Sequence, residues 1–165
     1  MPKYEKEALL DELRLSHQKV AVLLQSMVDN QDWQPEPAEW SFRYIAAHLA
    51  AIESEYHMSR VARIASGEEP HFDYYIDSGI DYSDQDIGDS LRFWAKTRQQ
   101  LVDLVAGLPD NRLQFTGTMT VIGAISLKDV LMDMVVADRG HARHVTQLIE
   151  DFHEANVGGE KDLCV

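Results

Sequence analysis

Cysteine is nearly missing from this chain: Cys164, one residue from the end of 165, is the only one, so no disulfide within the chain can staple the fold. Its place beside a terminus reads as an incidental thiol. Long apolar runs are missing too, since nothing approaches the roughly 20 residues that a membrane-spanning helix requires. Positive charge is scarce. Fifteen Lys and Arg stand against 28 Asp and Glu, a formal net charge of −13, which repels nucleic-acid phosphates and anionic membrane surfaces alike. The opening residues, Met1-Pro2-Lys3-Tyr4-Glu5-Lys6-Glu7, lack the apolar core of a secretory signal, and the cytoplasm is the expected compartment. There is no GxSxG, no CxxC, no phosphate-binding glycine loop, no internal repeat and no low-complexity segment.

What is present is ordinary globular material. With 45% hydrophobic and 26% charged residues, the chain is expected to fold as one domain over 1–165. Apolar residues at helical spacing (Leu9, Leu10, Leu13, Val20, Leu23, Leu24, Met27) predict a first helix over about residues 4–29. Pro35 and Pro37 interrupt it. Ser41 is a plausible N-cap for a second helix from Phe42 to about Ser66, with Gly67 as its stop and Pro70 preventing continuation. A long connection over 67–85 follows, rich in aspartate and tyrosine. Ile87, Leu91, Trp94, Leu101, Leu104 and Val105 then mark a third helix, ending at Gly107-Leu108-Pro109. Thr116, Thr118, Thr120, Val121 and Ile122 predict a short β-excursion within 113–125. Ser126 and Asp129 resemble a capping box that opens a fourth helix, about 126–154. Four amphipathic stretches must bury their stripes against one another, which predicts an all-α four-helix bundle with a long connection between helices two and three.

The run Trp40-Ser41-Phe42-Arg43-Tyr44-Ile45-Ala46-Ala47-His48-Leu49 is similar to the signature of the DinB/YfiT-like family, where a Trp-Ser pair opens helix two and a His-Leu pair follows. The resemblance continues through Glu53, Arg60 and Gly67-Glu68-Glu69-Pro70, and resumes at Ser126-Leu127-Lys128, covering most of the chain. Tyr44 departs from the acidic residue common there. The resemblance implies a four-helix bundle of metal-dependent bacterial enzymes, hydrolases or thiol-dependent transferases, with a divalent ion, zinc or nickel, and with His48 as the first metal ligand.

In that family the other two ligands are histidines four apart on helix four, about 40° apart on one face. Here the ungapped match places Ala137 at the first position and His141 at the second. In a register shifted three residues by Gln147-Leu148, His144 becomes the second ligand and Gly140 replaces the first. Two residues are able to compensate. His144 lies about 60° from His141 on the side of Ala137, and Asp138 about 60° away on the other. Asp133 sits about 12 Å along the helix from His141, too far to share an ion easily. The expected metal ligands are therefore His48, His141 and His144, with Asp138 the alternative to His144.

The remaining histidines carry less. His17 is expected at an exposed or boundary face, His57 about 180° from His48, His71 in a loop and His153 near a terminus. Glu55, one heptad beyond His48, is expected to face the same cavity, whereas helical arithmetic sends Glu53 elsewhere. The acidic-aromatic segment from Phe72 through Tyr82 reads as a packed or contact-forming loop in preference to a lid. Two functions follow. One is a metal-dependent hydrolase or thiol-dependent transferase acting on a small molecule; the other is a non-catalytic, small-ligand-binding or dimeric module with a degenerate site. A homodimer is expected in either case.

Overall fold

The structure is a computed structural model describing residues 2–76 and 80–163, with side chains over 5–76 and 80–157. Cys164 and the loop residues Asp77 and Gly79 lie outside the described residues. Helix α1 spans Pro2–Gln25, α2 Phe42–Ile52, α3 Met58–Ala65, α4 Ile87–Ala106 and α5 Leu127–Leu163. α2 and α3 are one continuous rod joined by a π-helical turn over Glu53–His57. The rods of the bundle are thus α1, α2–α3, α4 and α5.

The helix ends follow the sequence chemistry. Ser41 caps α2 by accepting from the Tyr44 N–H at 3.2 Å, and Asp86 caps α4 by accepting from the Asp89 N–H at 3.2 Å. Before α5 the capping box is reciprocal: Ser126 Oγ accepts from the Asp129 N–H at 3.1 Å, while Asp129 Oδ2 accepts from the Ser126 N–H at 3.2 Å. Past α3, Gly67 takes φ +86°, the left-handed conformation that ends a helix cheaply only in glycine.

The β-excursion is a three-stranded sheet. β1 (His71–Phe72) runs parallel to β2 (Thr116–Met119), and β2 is antiparallel to β3 (Gly123–Ser126), with Thr116 opposite Ser126. His71 is therefore on a strand and not in a loop. Gly117 makes the close approach possible, because a Cβ there would lie 2.7 Å from the Pro70 carbonyl oxygen. The sheet ties the chain after α3 to the hairpin before α5. No helix among the described residues is long and apolar enough to cross a membrane.

The core has two centres. One gathers Leu10, Leu13, Ile64, Leu101, Leu127 and Leu131; the other gathers Leu24, Phe42, Ile45, Leu49, Trp94 and Val145. Between them runs a layer of buried polar side chains: Ser16, His17, Glu53, Arg98 and Asp138.

Candidate functional site

The polar layer is organised by Arg98, which is only 3% exposed. Its Nε and Nη2 donate to the two oxygens of Glu53 at 2.7 and 2.6 Å, and its Nη1 donates to the Leu13 carbonyl at 2.7 Å and to Asp138 Oδ2 at 2.8 Å. A longer bond of 3.3 Å joins Nη2 to Asp138 Oδ1. All five guanidinium N–H donors are thereby used. Burial opposes the charge on Arg98, yet the bonds and field of Glu53 and Asp138 prevail and raise its pKa above the ordinary arginine value. Trp94 Nε1 donates to Glu53 Oε1 at 3.0 Å and Ser16 Oγ donates to Asp138 Oδ2 at 2.6 Å, completing the carboxylates.

This arrangement decides the role of Asp138. Its oxygens are engaged by Arg98 and Ser16 inside the bundle, so it is not available to complete a metal site beside His141. His17 joins the same layer and is buried, contrary to the boundary position that helical spacing suggested. Its ring meets Trp94 edge-on with centroids 4.3 Å apart, and its Nε2 has no hydrogen-bond partner among the described residues. Burial, with Arg98 nearby, lowers its pKa from 6.5 to about 4.

The π turn redirects everything after it. One extra residue in a turn rotates the following side chains by about 100° relative to an unbroken α-helix. His57 consequently comes to about 80° from His48 instead of 180°, and Arg60 to about 20° from it. Glu55 is carried away from His48 by the same sense of rotation. It is exposed and lines a groove with Ala47, Ala51, Ile80 and Phe93, so it does not share the cavity of His48. Glu53 does turn away from His48, and its destination is Arg98.

His48 is half-buried among aromatic rings: Trp40 at 4.8 Å, Tyr44 at 6.4 Å and nearly parallel, and Tyr75 edge-on at 6.1 Å. Part of the acidic-aromatic loop thus forms a wall of this cleft. Tyr75 also meets Tyr56 at 5.6 Å, and the Tyr56 hydroxyl donates to the Asp73 carbonyl at 2.7 Å. Across the cleft, α5 presents Asp133, Ala137, His141 and His144, all exposed except the half-buried His141. Burial lowers the His141 pKa; Asp138 opposes the shift, while His48 and His144 reinforce it. The three predicted imidazoles are thus linked by one electrostatic coupling. His57, pulled down from 6.5 to about 3 by burial and by Arg60, Arg98 and His141, belongs to it as well.

Coupling is not yet coordination. Among the described residues no group of three or more His, Cys, Asp or Glu side chains is arranged to hold a metal ion. Position 137 offers only a methyl group, Asp138 is committed, and His57 Nδ1 accepts from Arg60 Nη2 at 2.8 Å. The donor set does not fit an ion gripped by three protein ligands.

A four-rod bundle with His48 on its second rod and His141 and His144 on its fourth defines a helical-bundle protein whose candidate site is a set of histidines drawn from two rods. The chain belongs to the DinB superfamily, whose family model matches residues 12–145. Among solved structures it is similar to YfiT from Bacillus subtilis, described as a probable metal-dependent hydrolase with an unusual four-helix bundle topology. The TM-score is 0.76 at 21% identity, over 90% of this chain and 87% of that one. No curated protein matches the sequence.

Proposed function

We propose that this chain is a metal-dependent enzyme of the DinB type, a hydrolase or a thiol-dependent transferase, acting on a small molecule in the cleft between α2–α3 and α5. The observation that carries the reading is that His48 of α2 and His144 of α5 both act through space on the half-buried His141. Family membership and the description of YfiT support it. Because the set is incomplete, the ion, zinc or nickel, is held weakly and exchanges readily.

A second reading is favoured by a specific observation. Asp138 is sequestered by Arg98 and position 137 is alanine, so the cleft also suits a non-catalytic small-ligand-binding module that has lost its metal. Titration of zinc and nickel into protein prepared without a histidine tag separates the two. The enzyme reading expects an equivalent of metal, a rise in thermal midpoint, and loss of both in His141→Ala. Ala137→His is expected to tighten binding at least tenfold. Less than about half an equivalent together with an unchanged midpoint sinks the enzyme reading and leaves the binding module. A homodimer and a cytoplasmic setting belong to the same proposal; Leu15 and Val22, 65% and 69% exposed on α1, supply apolar surface for the dimer.

A further inference from the structure

Arg60 is 4% exposed, as buried as Arg98, but its donors are poorly met. Nη2 donates to His57 Nδ1 at 2.8 Å, Nη1 reaches only the Met119 sulfur at 3.3 Å, a weak acceptor, and Nε has no partner among the described residues. Burial pulls its pKa below the ordinary arginine value, with Tyr56 and the exposed Asp133 of α5 only partly opposing the shift. Leaving a guanidinium donor unsatisfied in the interior is expensive, so an unmet Nε–H calls for an acceptor.

The neighbouring histidine has the same polarity. A guanidinium is always a donor, so His57 Nδ1 must accept, and the remaining proton of the neutral ring sits on Nε2. His57 Nε2 is therefore an N–H donor with no lone pair. Two N–H donors on successive turns, with one fixed positive charge, suit a monoanion with two acceptor oxygens. Around them stand flat apolar surfaces: the Tyr56 ring lies 4.5 Å from the Arg60 guanidinium, and Tyr75 lies beside Tyr56 and His48.

We infer that Arg60 and His57 form a subsite for the carboxylate of a small, flat organic acid, whose body packs against Tyr56 and Tyr75. This subsite names a chemical class for the small molecule of the proposed function, and it rests on that reading for the cleft but not for the ion.

The test uses the full chain stripped of metal, so that failure of the metal reading leaves it unaffected. Benzoate is titrated calorimetrically, with benzamide as the neutral isostere. Saturable binding of benzoate and none of benzamide is expected, weakened at least tenfold in Arg60→Met and unchanged in Arg63→Met. Arg63 lies over Phe72 and pairs with Glu68, outside the subsite. Should Arg60→Met not fold, the Arg60 Nε–H resonance of the parent decides, being expected to move in step with benzoate saturation. Equal binding of benzoate and benzamide, full binding by a folded Arg60→Met, or a stationary Nε–H resonance overturns the subsite.

Discussion

Arg98 and Arg60 occupy adjacent rods of one bundle and show how differently a buried cation is kept. Arg98 is enclosed by two carboxylates and a carbonyl, each at hydrogen-bond distance. Removing it strands Glu53 and Asp138 without their partner. Arg98→Met is expected to cost about 3–5 kcal/mol, read by chemical denaturation, because a lone buried charge is far costlier than a pair. A loss below about 1 kcal/mol would mean that water reaches the layer and screens it. The hub was partly legible. Arg98 continues the Ile87, Leu91, Trp94 and Leu101 stripe at steps of three and four, so a charge at a core position was visible in the sequence. The sequence did not say which carboxylates would meet it, since Glu53 and Asp138 are 45 and 40 residues away.

Among the elements, the helices and most of their caps were readable because local chemistry determines them: Ser41, Gly67, Ser126 and Asp129 all act on residues within a turn. The sheet was only half readable. A short β-excursion within 113–125 follows from β-branched residues, but its hairpin pairing and the parallel partner His71–Phe72, which comes from beyond α4, leave no periodic trace. The π turn was not readable either, and with it went the orientations of Glu55, His57 and Arg60. In the hairpin, Val121 sits at φ 72° and is 89% exposed. A β-branched side chain in left-handed backbone is strained. Val121→Asn, which tolerates that region, is expected to stabilise the fold by about 1 kcal/mol and raise the thermal midpoint by roughly 2–4 °C in a scanning denaturation. An unchanged or lower midpoint would show that the turn carries no strain there.

Over the whole molecule, the buried imidazoles make stability depend on pH with a definite sign. His17 titrates at about 4 in the folded chain against 6.5 when unfolded, so below pH 6.5 the unfolded chain gains a proton that the folded one refuses. Stability is complete above pH 6.5 and falls as pH drops towards 4, by about 3 kcal/mol from His17 alone. His57 and His141, also lowered, act in the same sense. Urea midpoints measured across that range are expected to decline, less steeply in His17→Phe; equal slopes for the two proteins would remove His17 from the account.

The wide turn at Glu53–His57 bears on the molecule's tolerance of length change. An α-helix that swallows one residue more than its period needs keeps both ends in phase, so the surplus is confined to a single turn. Shortening the chain by one residue there would leave Ile45 and Ile64 seated in their separate cores. Shortening it anywhere else in the rod would turn one core against the other. The bundle thus has one place where its second rod accepts a deletion, and that place lies between the helix that bears His48 and the one that bears Arg60.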